Sequence, residues 1–223
     1  MSPFTALLTS AGREPTKSIA LALAEPGARL ALTDLTPMGL EDTAALVQAQ
    51  GAEVSTHVAD PSKGLAVRML LDEVLERWES LDALINCPLA QPTAGMLELD
   101  EWDFQRTLES NIGGPFLMLQ ALGRIWREER RGGIVLHVIT GGGARPPDAG
   151  KFAFTASQAG LRALTRSAVE LAPLGIRVYG VCLESVHPRG ALVAARLAAQ
   201  ILHGQVQAEP GTLFEVDNTG DWA

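Results

Sequence analysis

Short apolar runs alternate with longer amphipathic stretches along the whole chain. Runs rich in Val, Ile and Leu predict strands, and the stretches between them, with apolar residues at helical spacing, predict helices. The strands are predicted near residues 4–9, 28–33, 53–58, 81–86, 133–139, 176–182 and 212–216. The helices are predicted near residues 16–25, 38–50, 62–79, 100–130, 154–172 and 191–203. This alternation is typical of β-α-β units around a parallel sheet.

The predicted strands are apolar over most of their length, which indicates a sheet covered by helices on both faces. We therefore expect an α/β fold with a doubly wound parallel sheet of about seven strands. Ligands of such a sheet bind at the carboxyl ends of its strands. No internal repeat or low-complexity linker divides the 223 residues, so residues 1–223 are predicted to form a single domain.

Composition excludes several classes of partner. The chain has 26 acidic and 18 basic residues and a formal charge of −8, which argues against nucleic acid, because phosphate binding depends on Lys and Arg. No run of 18 apolar residues and no signal-peptide pattern is present, so we expect no membrane partner and a cytoplasmic location. Cys87 and Cys182 sit in apolar runs and are predicted to be reduced core residues. The four histidines show no metal-ligand spacing, so no metal is expected.

Several segments, in order along nearly the whole chain, are similar to the motifs of one enzyme family. In the first half these are residues 7–13, 18–28, 32–34, 58–60 and 84–87. They stand where the family has a strand followed by T-G-x-x-x-G-x-G, its first helix, an acidic second strand end, a D-V pair and N-N-A-G. The chain thus resembles the short-chain dehydrogenase/reductase family, which has a Rossmann-like fold.

The second half carries the closer part of the resemblance. Trp102, Asn111 and residues 114–116 fall at the family's spacing on its long fourth helix. Residues 132–140 resemble the strand that delivers the catalytic serine. The remaining similar segments are residues 154–159 (Y-x-A-S-K in the family), 176–179 (I-R-V-N) and 211–220 (V-D-G-G).

The resemblance implies four catalytic positions. In the family a tyrosine transfers the alcohol proton, a lysine stabilises its phenolate and holds the nicotinamide ribose, a serine orients the carbonyl, and an asparagine supports a water relay. Here these positions carry Phe154, Gln158, Thr140 and Asn111. Phenylalanine has no ionisable proton and glutamine has no charge, so general acid-base catalysis, typically worth roughly 10² to 10⁴ in rate, would be missing. Asn111 has a second interpretation, a bond to the backbone of a kinked helix, and Thr140 is also a common strand-end residue.

The cofactor positions differ from the family pattern as well. The three glycines of the phosphate-binding turn become Ser10, Glu14 and Thr16, and Glu14 would repel a diphosphate. We therefore expect no cofactor, with NAD(P) as the alternative. The degenerate cofactor-binding positions, including those at the ends of the second, third and fourth strands, are Thr9, Ser10, Gly12, Glu14, Thr16, Asp34, Asp60 and Asn86. Asp34 is equally interpreted as capping the chain after its strand.

The region that covers the substrate in the family is predicted to be shortened, to about residues 183–211. The glycine run 141–143, followed by an Arg-Pro-Pro segment at 145–147, is interpreted as a flexible loop at the rim of the cleft.

The shortened substrate cover and the altered catalytic and cofactor positions together lead us to expect a catalytically inactive structural or regulatory subunit. The alternatives are an NAD(P)-dependent oxidoreductase with altered catalytic machinery, in which Thr140 and Asn111 polarise a carbonyl, and a non-catalytic nucleotide or metabolite sensor.

The partner is expected to be another copy of the chain or an active member of the family. The predicted contact uses the helices at about 100–130 and 154–172, which carry long apolar stripes. Candidate interface positions, which equally serve to cover the sheet, are Phe116, Leu117, Leu119, Leu122, Leu161, Leu164 and Val169.

Overall fold

A computed structural model describes residues 4–141 and 149–216 of the chain. Its sheet has seven parallel strands in the order β3-β2-β1-β4-β5-β6-β7, so the predicted doubly wound parallel sheet is confirmed. The strands are β1 (Thr5–Thr9), β2 (Arg29–Asp34), β3 (Glu53–Val58), β4 (Ala83–Asn86), β5 (Gly133–Thr140), β6 (Ile176–Leu183) and β7 (Leu213–Val216). Each lies within two residues of its predicted position.

Seven α-helices connect and cover these strands within the described residues. They are α1 (Thr16–Leu23), α2 (Leu40–Ala49), α3 (Gly64–Trp78), α4 (Glu101–Leu108), α5 (Gly114–Glu128), α6 (Phe152–Ser167) and α7 (Pro188–Leu202). Two helices that were predicted to be continuous are interrupted. A π-helical segment, Glu109–Gly113, interrupts the one predicted at 100–130, and the one predicted at 154–172 ends in a 3-10 segment, Ala168–Leu174.

Proline and glycine explain both interruptions. Pro115 has no backbone N–H, so the regular hydrogen bond to residue 111 cannot form, and Gly113 and Gly114 tolerate the wider turn that results. Pro173 lies inside the 3-10 segment, and Gly175 ends it with φ of 76°. The two interruptions adjust the helices without changing the order of the elements.

Alternation along the strands builds two apolar layers. In β1, Ala6 and Leu8 pack into the layer that contains residues of α1, α2 and α7, whereas Leu7 packs into the layer that contains residues of α3 and α5. All three side chains are fully buried, as expected for a strand with helices on both faces. Within the described residues, no helix is both long and apolar enough to span a membrane.

The strand order places a topological switch point between β1 and β4. The chain crosses in one direction from β1 to β2 and β3, and in the other from β4 to β5, β6 and β7. Because all strands are parallel, Thr9, Asp34, Asn86 and Thr140 end their strands at the same edge. This edge is where ligands of doubly wound sheets bind.

Candidate active site

A narrow cavity of about 90 Å³ opens at the switch point. Six of the predicted site residues line it together: Thr9, Ser10, Asp34, Asp60, Asn86 and Asn111. The loop after β4 contributes Pro88, Leu89 and Ala90 to the opposite wall. The other predicted site residues do not line this cavity: Gly12, Glu14, Thr16, Thr140, Phe154 and Gln158.

Asp34 is buried and its carboxylate organises the turn after β1. One oxygen accepts a hydrogen bond from the Gly12 N–H at 3.0 Å, and the other accepts from the Leu35 N–H at 2.8 Å and the Arg13 guanidinium at 3.2 Å. A side chain at Gly12 would meet the carbonyl oxygen of Met38 at 2.6 Å, so only glycine fits this turn. Asp34 therefore caps its own turn, as one interpretation predicted, while still facing the cavity.

Glu14 occupies the start of α1. Its carboxylate accepts a hydrogen bond from the Ser18 N–H at 3.2 Å, the type of donor that binds anions at a helix N-terminus. The glutamate is exposed, whereas Thr16 is fully buried. Ser10, in the preceding turn, has φ of 55°, a conformation that usually favours glycine.

Asp60, which follows β3, is held by the Arg106 guanidinium and the Ser62 hydroxyl. Arg106 on α4 donates to its carboxylate at 2.8 Å and to the Ser62 hydroxyl at 2.7 Å, and Ser62 donates to Asp60 at 2.7 Å. Burial acts to raise the pKa of Asp60, but these hydrogen bonds outweigh it and leave the pKa below its ordinary value. Arg106 was missed from the sequence because it lies 46 residues from its partner on another element.

The end of β4 joins that of β1. The Thr9 hydroxyl accepts a hydrogen bond from the Cys87 N–H at 3.0 Å, and Asn86 is 1% exposed. The side-chain amide nitrogen of Asn86 has no hydrogen-bond partner among the described residues. Burial raises the pKa of the Cys87 thiol to about 12, which agrees with its predicted role as a reduced core residue.

Asn111 lies in the π-helical segment and clamps the loop after β4. Its side-chain oxygen accepts from the Ala90 N–H at 2.9 Å, and its amide nitrogen donates to the Ala90 carbonyl at 2.8 Å and to the Ser157 hydroxyl at 2.9 Å. Both amide atoms are therefore engaged. Asn111 thus bonds backbone, but that of the loop after β4 and not that of its own interrupted helix, so the alternative interpretation is correct only in part.

Thr140, Phe154 and Gln158 lie together where β5 meets α6. The Gln158 side chain is fully buried and bridges two backbone groups, accepting from the Thr140 N–H at 2.9 Å and donating to the Pro88 carbonyl at 3.1 Å. The Thr140 hydroxyl has no hydrogen-bond partner among the described residues, although the residue is only 7% exposed. Phe154 is 5% exposed. The bridging role of Gln158 has no signal in the sequence, because Pro88 is 70 residues away.

Other predicted features fall partly outside the described residues. These are the glycine-rich loop, of which residues 142–148 are not described, and the closing motif at 211–220, of which residues 217–220 are not described. The predicted shortened lid at 183–211 contains α7. Within the described residues, no group of three or more His, Cys, Asp or Glu side chains is arranged to hold a metal ion.

Residues 16–211 match the family model described as Enoyl-(Acyl carrier protein) reductase. An oxidoreductase of Thermotoga maritima is 28% identical over 85% of this chain and 74% of its own length. A 3-oxoacyl-(acyl-carrier-protein) reductase of Staphylococcus epidermidis is 31% identical over 79% of this chain and 72% of its own. A 3-ketoacyl-(acyl-carrier-protein) reductase of Brucella melitensis, solved with NADH, superimposes with a TM-score of 0.83 at 23% identity, over 96% of both chains.

The chain therefore belongs to the short-chain dehydrogenase/reductase family, and the predicted resemblance is confirmed at that level. Two predictions were wrong. The inactive subunit is contradicted by relatives named as reductases and dehydrogenases. The absence of a cofactor is contradicted by neighbours of the same fold that hold NAD⁺ or NADH. Both predictions inferred the loss of a function from side chains at a few positions, whereas the comparisons use nearly the whole chain.

Proposed function

We propose that this chain is an NAD(P)(H)-dependent oxidoreductase that acts on a carbonyl or alcohol with altered catalytic machinery. One observation carries the proposal: the Asn86 amide nitrogen and the Thr140 hydroxyl are buried without partners among the described residues, at the carboxyl ends of adjacent strands. Buried polar groups are nearly always hydrogen-bonded in folded proteins, so a ligand is the natural partner for both.

The residues at the switch point fit a dinucleotide at its adenosine end. Asp34 presents a buried carboxylate to the cavity, which suits ribose hydroxyls, and Asn86 presents a free donor. The diphosphate end is less open, because the Glu14 carboxylate already accepts the Ser18 N–H. Since Glu14 is exposed, its side chain is free to leave for solvent when a diphosphate binds. The cavity of about 90 Å³ must also widen.

The reaction would depend on Thr140 more than on a tyrosine. A bound nicotinamide supplies or accepts the hydride. The Thr140 hydroxyl, free of other partners in the described part of the chain, donates a hydrogen bond to the substrate oxygen. Phe154 offers no proton and Gln158 is committed to two backbone groups, so the proton comes from water. We propose that these departures alter the family's catalysis and do not abolish it, at a cost of roughly 10² to 10⁴ in rate.

The test is oxidation of NADH and NADPH against a panel of carbonyl compounds. We expect slow turnover that falls in Thr140→Val, which keeps the shape but removes the hydroxyl, and persists in Thr140→Ser. Saturable binding of either cofactor is measured alongside by calorimetry. Turnover that is equal in Thr140→Val and the unchanged protein would refute the role of Thr140, and a folded sample that binds neither cofactor would refute the proposal.

The proposal includes self-association in the cytoplasm through α5, α6 and the 3-10 segment Ala168–Leu174 that follows α6. Leu119, Leu122 and Leu161 belong to the core, but Phe116 is 46% and Val169 is 50% exposed, so these two remain candidates for contact with a second copy or a related subunit. We expect Phe116→Glu to lower the molar mass measured by light scattering. Leu192→Glu, at a residue of α7 that is 64% exposed, is the matched control and is expected to leave the mass unchanged.

A further inference from the structure

A second group of reactive side chains lies on the edge strand β3, and none of its members lines the cavity at the switch point. Ser55 and His57 are two residues apart, so their side chains project from the same face of the strand. The Ser55 hydroxyl is 2.9 Å from Nε2 of His57, and Nδ1 of His57 is 2.8 Å from a carboxylate oxygen of Glu73 on α3. A nucleophile, a base and a carboxylate are thus connected in one line.

The chemistry of the three groups determines where the protons lie. An ionised carboxylate only accepts hydrogen bonds. In the neutral ring, Nδ1 therefore carries the proton and donates a hydrogen bond to Glu73. Nε2 then has a free lone pair, and the Ser55 hydroxyl donates to it. This is the arrangement in which a serine is activated for attack on a carbonyl carbon.

The surroundings leave the serine accessible. A shallow, open cleft of about 540 Å³ is lined by all three side chains, and by Thr56, Glu76 and Arg77. The His57 side chain is only 12% exposed, which restrains the ring, whereas Glu73 is 58% exposed. Glu53 holds the Arg77 guanidinium at 3.1 Å, so that cation is compensated and the two glutamates of α3 make the cleft acidic.

The edge position of β3 supplies a donor for the oxygen of a substrate. Glu53 and Ala59 donate their N–H groups to Ala28 and Asp34, in line with β2. Because N–H directions alternate along a strand, the N–H of Thr56 points to the open side of the sheet. A backbone N–H next to the nucleophile is the kind of group that stabilises the oxyanion in acyl transfer.

We propose that Ser55, His57 and Glu73 form a second catalytic site that hydrolyses small, neutral carboxylic esters. The Ser55 oxygen forms a bond to the ester carbonyl carbon while its proton passes to Nε2 of His57. The bond to the alcohol oxygen breaks, and the alcohol leaves with that proton. Water, deprotonated by His57, then attacks acyl-Ser55, the bond between the acyl carbon and the Ser55 oxygen breaks, and His57 returns the proton to Ser55 as the acid leaves. Ser55 and His57 are the catalytic residues, and Glu73 is a positioning residue that holds the ring.

The test uses the intact chain with p-nitrophenyl acetate and a fluorophosphonate probe. We expect the probe to label Ser55, identified by mass spectrometry, and hydrolysis above the buffer rate. Ser55→Ala abolishes both, and His57→Gln lowers both by about 10²-fold or to background. Ser167→Ala, at an exposed serine on α6, is the matched control and leaves both unchanged.

Glu73 is tested by a conservative exchange. Glu73→Gln lowers hydrolysis because an amide also donates hydrogen bonds and no longer selects the Nδ1–H form, and Glu73→Asp restores part of the rate. Circular dichroism and oxidation of NADH, which does not involve this site, report on folding and on the proposed oxidoreductase separately. A folded protein that the probe does not label at Ser55, or whose labelling is unchanged in His57→Gln, would overturn the proposal.

Discussion

Asp34 shows how one side chain can serve both the fold and a ligand. Its two oxygens accept three hydrogen bonds from the protein, and the residue is 3% exposed, yet it borders the cavity at the switch point. A buried negative charge at that place favours ribose hydroxyls and repels a phosphate. In the proposed oxidoreductase, this residue would therefore decide between NADH and NADPH.

We expect NADH to bind more tightly than NADPH, and Asp34→Asn to reduce the difference by about tenfold. The asparagine keeps the shape but removes the charge, and it leaves the Arg13 guanidinium free to face a 2′-phosphate, a change of about 1.4 kcal/mol. Calorimetric titration with both cofactors measures the ratio. Asp42→Asn on α2 removes an exposed charge and is the control; an unchanged ratio in Asp34→Asn would contradict the assignment.

In the proposed oxidoreductase, Glu14 would compete with the cofactor's diphosphate for the backbone donor at the start of α1. Replacing it with glutamine removes the charge next to the Ser18 N–H, so we expect the affinity for NADH to rise about two- to fivefold, the size of a surface charge effect at a helix terminus. The gain is expected to shrink in high salt. Glu25→Gln, an equally exposed change beyond the other end of α1, is the matched control, and an equal gain there would count against a local effect.

At the scale of elements, the π-helical segment places Asn111 on the wall of the cavity at the switch point. Asn111 makes two hydrogen bonds to Ala90 in the loop after β4 and a third to Ser157 on α6. In an uninterrupted α-helix, the residues after the segment would lie at different angles around the helix axis. This single irregular turn therefore sets both the direction of the apolar face of α5 and the position of Asn111.

We expect Asn111→Ala to lower the free energy of unfolding by about 1–3 kcal/mol, because it leaves the N–H and carbonyl of Ala90 without their partner. Urea denaturation measures the loss, and hydrogen exchange at the Ala90 amide is expected to become faster. Gln105→Ala, an exposed change on α4, is the control. Unchanged exchange at Ala90 would show that the clamp does not hold the loop.

At the scale of the whole molecule, His137 couples stability to pH. Burial lowers the pKa of this fully buried ring to about 3, from an ordinary value of 6.5. The unfolded chain therefore binds a proton below pH 6.5 that the folded chain refuses until about pH 3. The stabilising contribution is complete above pH 6.5 and is lost progressively as the pH falls.

We expect His137→Phe to flatten the pH dependence of stability on the acid side by up to about 1.4 kcal/mol per pH unit. The aromatic ring keeps the volume, and the Thr165 hydroxyl that faces Nδ1 retains its bond to the Leu161 carbonyl. Urea denaturation between pH 5 and 8 compares the two slopes. The same slope in both proteins would mean that His137 does not control the acid limb.

The order of the elements and most of the site positions were predictable from the sequence. Apolar runs of strand length and amphipathic stretches of helix length differ in the spacing of their apolar residues, which separates strands from helices. Strands that are apolar over most of their length indicate a sheet that is buried on both faces. The resemblance to the family supplied Thr9, Asp34 and Asn86 as cofactor-binding positions at the strand ends, and all three line one cavity. Local patterns predict these features because each depends on neighbours along the chain.

Side-chain partners across the fold were decided only by the tertiary structure. Gln158 bridging Pro88 and Thr140, Arg106 on Asp60, and the pairing of His57 with Glu73 join residues 16 to 70 positions apart. They depend on how each helix crosses the sheet and on which rotamer the packing permits, and no periodicity carries that information. The sequence by itself therefore determined the sheet and the edge at which its strands end, whereas the tertiary contacts decided which of the described polar groups bond to the protein and which have no protein partner.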